Sequence, residues 1–309
     1  MTLNSDWKRI HNVALNLILD LLAPLLSHGF HPPCLKKADG IVLDKAGKPS
    51  CDLPSTFRLI VLVKPFPKIL ERIMNGCLSC VALVAGVITP HQCGSIAGLS
   101  VADACNTLTL EIRTLQIDKS KVSTLFLDIK EGFDNVNPSS LCSILKAKGV
   151  KPYLLPWTGS FLTGGSCRLV FQGFPKVFAP VSDGTPQGSS VSALLFVIYV
   201  SRLHYEIPDC LTHSYVDDFA LTASSDSTRH NVRILQRQYA ILKARGSRLG
   251  VGFSVPKTKL IHRPTNRDRD PPSAAPVHLD RMVFHPKGEI RCLGLWFTPS
   301  LSTTPHFTK

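Results

Sequence analysis

No stretch of this 309-residue sequence is long and apolar enough to cross a bilayer. Ala14–Leu26 is interrupted by Asn16, Asp20 and Pro24, and Cys77–Ile88 falls short of the ~20 apolar residues a span requires. The N-terminal residues, among them Asp6, Lys8 and Arg9, hold no apolar core ending in small residues, which argues against secretion. No second CxxC and no His pair accompany Cys77 and Cys80, so a zinc finger is excluded. The ten cysteines instead read as small, reduced apolar residues of an intracellular protein. No internal repeat is visible. Charged residues are sparse at 18% against 44% hydrophobic ones, which excludes wholesale disorder. Acids are the scarcer sign, 22 against 35 bases, for a net charge of +13. That excess suits a polyanionic partner, either nucleic acid or an acidic membrane surface.

The pattern along the chain is α+β. Leu15–His31 is predicted as a helix with a Pro kink, residues 32–54 as turn and loop with a short apolar piece at Ile41–Leu43, and Phe57–Val63 as a strand. Pro67 opens a helix to Leu83, and Ser100 with Asp103 caps another carried by Ala104, Leu108 and Ile112. Val122–Ile129 is a strand ending in acids, followed by a helix from Ser139 to Lys148. Cys167–Phe171 and Lys176–Val181 form a hairpin, and an apolar helix spans Ala193–Leu203. The runs His213–Val216 and Phe219–Ala223 flank a bend at Asp217–Asp218, and a long helix covers Ser227–Leu249. A polar, Pro-rich stretch, Pro264–Pro276, precedes a hairpin-like element over Arg281–Phe297.

Period-2 alternation puts Thr124, Phe126 and Asp128 on one face of their strand. A carboxylate after so apolar a run is costly to bury unless a cation lies nearby. Asp217 and Asp218 repel each other, and a divalent metal removes that penalty. If the two strands are neighbours, the three carboxylates can hold two Mg²⁺ about 4 Å apart for phosphoryl transfer. Taken alone, the Asp pair reads better as a polar hairpin turn, because Asp is common in turns. Arg229, Arg233 and Arg237 recur every four residues along one helix face, extended by Lys243, Arg245 and Arg248. The stripe is either a phosphate-binding surface or a solvated helix face.

From Leu53 to Phe307 the chain resembles the reverse transcriptase domain of non-LTR (LINE-type) retrotransposons. Phe57-Arg58-Leu59-Ile60 with Lys68-Ile69-Leu70-Glu71-Arg72-Ile73 resembles the fingers segment, and Gln92-Cys93-Gly94 with Asp103-Ala104 the next block. Leu127-Asp128-Ile129-Lys130-Glu131-Gly132-Phe133-Asp134 is similar to motif A, Gly184-Thr185-Pro186-Gln187-Gly188-Ser189 to motif B, and Tyr215-Val216-Asp217-Asp218 to motif C. Pro256-Lys257-Thr258-Lys259 resembles motif D, and Cys292-Leu293-Gly294-Leu295 the segment that grips the primer. The ordered series carries the resemblance; motif C alone would not.

The resemblance implies a right-hand polymerase, α+β with fingers and an antiparallel palm sheet. It implies RNA-templated DNA synthesis on a DNA primer from dNTP, with two Mg²⁺ (Mn²⁺ as the substitute) on Asp128, Asp217 and Asp218. Phe133 would be the steric gate under the deoxyribose. Gln187 and Gly188 would line the nucleotide and template site, and Arg58 would meet the incoming triphosphate. Lys257 would lie near the leaving pyrophosphate as charge stabiliser or proton donor. Each has a bland counterpart: core aromatic, turn residue or surface charge. By the same resemblance, residues 1–52 form an N-terminal helical extension and 53–309 the reverse transcriptase domain. Within it, fingers cover about 53–121 and 150–182, palm about 122–149 and 183–263, and a primer-grip and thumb start 264–309. The expected partners are RNA template, DNA primer and dNTP, with no membrane; the oligomeric state stays open. The implied site of action is the nucleus, at chromosomal DNA.

Leu59 and Ala193 stand where the family usually has proline, which loosens the backbone without deleting a chemical group. No endonuclease segment precedes Met1 and no RNase H region follows Lys309, so the thumb is expected to be absent or fragmentary. A truncated, inactive retroelement relic that still binds nucleic acid is therefore the competing reading. A metal-dependent glycosyltransferase ranks behind both, having no use for Pro186-Gln187-Gly188 or Phe133.

Overall fold

The computed structural model describes residues 12–44, 56–117, 120–130, 132–171, 174–181, 184–205, 207, 209–263 and 275–301. They divide into two compact units, each entered twice by the chain: residues 1–87 with 133–199, and 88–132 with 200–309.

The first unit begins with helix α1, Asn12–Ser27. The predicted helix runs on to His31, but Gly29 adopts a left-handed φ of +61° and Phe30 N bonds back to Leu25 O at 2.9 Å, which ends it. The segment predicted as loop after Pro32 contains strand β1, Lys37–Asp44, which pairs antiparallel with β2, Phe57–Leu62, and parallel with β4, Gly165–Phe171. With β5, Phe174–Val181, they form a sheet in the order β2-β1-β4-β5. Only Gly40 of β1 is buried, and a Cβ there would come within 2.8 Å of Cys167 Sγ and Leu59 Cδ1. Its neighbours define this strand, since its side chains carry no alternation.

Helix α2, Pro65–Val84, buries Pro67, Leu70, Glu71, Met74, Leu78 and Ala82 at helical spacing. Helix α4, Pro138–Ala147, is capped by Asn137, whose Oδ1 accepts from Ser140 N at 2.9 Å. Helix α5, Leu154–Leu162, was not expected; its Pro156 and Gly159 disguise it, and fully buried Trp157 anchors it. Helix α6, Ser192–Val200, is apolar on every side and buried.

In the second unit, α3, Val101–Ile117, starts with the expected capping box. Ser100 N and Oγ donate to Asp103 Oδ2 at 2.7 and 2.6 Å, which lowers the Asp103 pKa. Strand β3, Lys121–Lys130, is the spine of an antiparallel sheet. On one edge it pairs β7, Asp218–Ser225, which in turn pairs β6, Leu211–Tyr215. On the other edge lie β8, Gly252–Phe253, and β9, Lys259–Arg263; β9 had not been foreseen as a strand. Helix α7, Thr228–Arg248, packs on β3 and β7 through a stripe that includes Val232, Leu235, Tyr239 and Leu242.

A core of Cys105, Leu108 and Ile112 from α3 with Phe126, Ala220, Ile261 and Phe297 shows what β3 packs against on the Phe126 face. The hairpin predicted over 281–297 is in fact two. Strands β10, Val277–Leu279, and β11, Met282–Phe284, turn at Asp280 with φ +54°. Strands β12, Ile290–Cys292, and β13, Leu295–Phe297, turn through Leu293 and Gly294, both left-handed, as a type I′ turn demands. Most of the Pro-rich stretch, 264–274, lies outside the described residues, as do Glu131 and 302–309. Among the described residues, no helix is long and apolar enough to cross a membrane.

Candidate active site

Asp128 and Asp218 are direct cross-strand partners of β3 and β7, so their side chains leave the same face of the sheet. The strand alternation read from the sequence puts Phe126 and Asp128 on one face, and the shared core and the register agree. The bend, however, is Val216–Asp217, because Tyr215 already pairs with Asp218 across β6 and β7. Val216 takes φ +57°, an unusual conformation for a β-branched residue, and so turns the chain within two residues.

Backbone bonds fix this turn from several sides. Ile129 N donates to Asp217 O at 3.0 Å, and Ser254 N donates to Asp128 O at 2.7 Å. Buried Gln92 accepts through Oε1 from Gly94 N at 2.9 Å and from Val216 N at 3.2 Å. A Cβ on Gly94 would lie 2.5 Å from Val216 N, so the Gln92-Cys93-Gly94 block serves as a rest for the acidic turn. Sequence reasoning noted that block and missed this use of it; its residue types alone give no sign of a backbone contact 124 positions away.

Asp218 is half-buried, and its carboxyl pKa is pushed up to about 6, first by burial, then by the charges of Asp217 and Asp128. Lys259 and Lys257 pull the other way. Lys257 follows from a 3-10 turn, Val255–Lys257, opened by Pro256. Its Nζ lies 2.8 and 2.9 Å from the two oxygens of Asp128, with the lysine side chain 65% exposed and the aspartate 18%. The oxygens of the three acids do not all come within 4.8 Å of one another. Without a cation between them they stand apart, and an ammonium covers one of them. The donor set is carboxylate oxygen throughout, the hard-ligand chemistry that suits Mg²⁺.

The other predicted site residues belong to the first unit. Arg58 is exposed on β2, in register with Leu43 of β1. Val61 N donates to Gln187 O at 2.7 Å, and Gly188, at φ +129°, approaches so closely that a Cβ would sit 2.1 Å from Val61 O. That close approach is therefore to the protein's own strand. Half-buried Phe133 stacks on Phe196 with ring centroids 4.8 Å apart, and its carbonyl accepts from Thr185 N at 2.8 Å. Glu71, 1% exposed, accepts from Ser189 Oγ at 2.7 Å and from Ser190 N at 3.1 Å. Burial raises its pKa against those hydrogen bonds. Glu71, read in the sequence only as part of the fingers block, signals this contact by being an acid at a core-facing position of α2.

Residues 37–297 match the family described as reverse transcriptase (RNA-dependent DNA polymerase), a match that begins upstream of Leu53. The probable RNA-directed DNA polymerase from transposon BS of Drosophila melanogaster is 26% identical over 287 residues, 90% of this chain and 31% of that protein. The RNA-directed DNA polymerase from mobile element jockey of the same organism is 28% identical over 233 residues, 72% of this chain and 25% of that one. The chain thus spans less than a third of the length of these relatives. Among solved structures, apo telomerase from Candida tropicalis truncated from its C-terminal domain superposes with a TM-score of 0.58 at 11% identity, covering 88% of this chain and 55% of that one. Telomerase from Candida albicans in complex with a fragment of telomeric RNA gives 0.59 at 15%, covering 87% and 46%. At such identities the likeness is one of fold, the fingers-and-palm fold of polymerases.

Proposed function

Because the chain belongs to the reverse transcriptase (RNA-dependent DNA polymerase) family, and to its LINE-type branch, we propose that it extends a DNA primer with dNTPs on an RNA template. The observation that carries this is the register that faces Asp128 with Asp218, with Asp217 in the turn between β6 and β7. Two divalent ions, Mg²⁺ or in its place Mn²⁺, would be held by Asp128, Asp217 and Asp218. When bound, they supply activation of the attacking hydroxyl and stabilisation of the leaving oxygen.

The chain's own groups do the rest. Asp128 and Asp218 gain from a bound cation what burial and mutual repulsion cost them in its absence. Lys257, released from Asp128, is the candidate proton donor and charge partner for pyrophosphate. Phe133, backed by Phe196, is the candidate wall against a 2′-hydroxyl. Arg58, Gln187 and Gly188 are the candidate contacts to the triphosphate and the templating base. The same reading puts this work in the nucleus, at chromosomal DNA.

The test is primer extension by the purified chain on an RNA template with Mg²⁺ and dNTP. We expect incorporation that disappears in Asp217→Ala and Asp128→Ala. Incorporation at the wild-type rate in either variant would remove the assignment.

A further inference from the structure

On the unit that holds the paired acids, three other side chains gather. His91, Glu111 and His213 each bring a donor atom within 4.8 Å of the other two, and no other trio of His, Cys, Asp or Glu among the described residues does so. They come from three separate places: the segment leading into Gln92, helix α3 and strand β6. The backbone already ties two of these together, since Ser214 N donates to His91 O at 2.9 Å and Cys93 N to Ser214 O at 3.1 Å. The two imidazoles meet edge-on with centroids 5.1 Å apart.

His213 Nε2 lies 2.8 Å from Glu111 Oε2, and His91 Nδ1 lies 3.5 Å from Glu111 Oε1. Yet His213 Nε2 and Glu111 Oε2 are both buried without a hydrogen-bond partner. A protonated His213 would pair with Glu111 at this distance, whereas a neutral ring leaves the two buried atoms facing each other without a hydrogen bond. Two unmet polar atoms facing each other at contact distance are costly, and one cation between them satisfies both. Donors around a tetrahedral zinc, with bonds of about 2.0–2.2 Å, lie about 3.3 Å apart, and the two observed separations bracket that value.

We infer that His91, Glu111 and His213 form a structural site for a zinc-class divalent cation, bound through His91 Nδ1, His213 Nε2 and the Glu111 carboxylate, with water completing the shell. Imidazole nitrogen selects zinc-type ions over Mg²⁺, which keeps this site chemically apart from the all-oxygen set at Asp128, Asp217 and Asp218. Its effect is mechanical. The ion staples α3 to β6 and to the residue preceding Gln92, and Gln92 holds Val216 in the acidic turn.

The purified chain, stripped with chelator, is dialysed against Zn²⁺ in millimolar Mg²⁺, and bound zinc is counted by mass spectrometry. One zinc per chain is expected in wild type and in Asp128→Asn, with affinity weakened about 10-fold or more in His91→Gln and Glu111→Gln. Zinc should raise the melting temperature of wild type and not that of the two variants. His91 is 39% exposed, so its variant keeps the fold, which circular dichroism verifies. Uptake that survives both substitutions, uptake that vanishes in Asp128→Asn instead, or no stoichiometric zinc in wild type would each overturn the site. Polymerisation is not a readout here, so this site and the polymerase reading stand or fall separately.

Discussion

Asp218 shows how a half-buried acid beside two others costs the fold stability when no cation is bound. In the metal-free protein its pKa of about 6 stands above the ordinary 3.8. The folded state therefore holds that proton more tightly than the unfolded state. The stability this confers is full below pH 3.8 and is lost as pH rises to about 6. At pH 7.5 without metal, Asp218→Asn should raise stability by about 1 kcal/mol, discounted for the partial exposure of the group, while polymerisation falls about 10²–10³-fold. Denaturant melts with and without Mg²⁺ check this; a variant less stable than wild type in the metal-free state would refute it. Lys257 offers a second measurement. It covers Asp128 in competition with a cation, so Lys257→Gln should lower the Mg²⁺ concentration needed for half-maximal activity even as the maximal rate drops about 10²-fold. A rise in that Mg²⁺ requirement would show that Lys257 helps assemble the ion site.

Among the secondary-structure elements, α2 and the loop that carries Gln187 are joined by a single buried acid. Glu71 meets both Ser189 and Ser190, so Glu71→Ala leaves their donors unsatisfied and opens a void. We expect a loss of about 2–3 kcal/mol and a smaller loss in Glu71→Gln, measured by thermal melts, with cleavage by protease rising near residue 190. Equal stability of Glu71→Ala and wild type would show that other contacts hold the loop. Much of this architecture was legible beforehand. The strand of Asp128, the acidic turn and the long helix α7 declare themselves through alternation, adjacent acids and helical spacing. Strand β1 does not, because Lys37, Asp39 and Gly40 break its pattern and its place is set by β2 and β4 on either side. Helix α5 hides behind Pro156 and Gly159. In the site, the acids and Lys257 could be named, but the grip of Lys257 on Asp128, the support from Gln92 and the His91–Glu111–His213 cluster depend on long-range register that one sequence does not display.

For the chain as a whole, a net charge of +13 is the feature that suits a polyanionic partner. Neither the geometry nor the relatives favour the inactive-relic alternative, since the acids and their scaffold are in place. Arg229, Arg233 and Arg237 are exposed along α7, and the contact from Arg237 to Asp209, at 4.0 Å between exposed groups, is worth little. Replacing all three arginines with alanine should lower the slope of log affinity against log salt for an RNA–DNA duplex by about 2–3. Titration by fluorescence anisotropy across salt concentrations measures it, and an unchanged slope would return the stripe to a solvated face.

The division of the chain also has a consequence for its synthesis. Residues 133–199 complete the unit begun by 1–87, and 200–309 complete the one begun by 88–132. A nascent chain on the ribosome can finish the first unit only after residues 133–199 have emerged, and the second only after 200–309. Asp128 leaves the exit tunnel long before Asp217 and Asp218, and waits as a lone carboxylate until β7 arrives beside it. No abbreviated translation product ending before β7 can set Asp218 opposite Asp128.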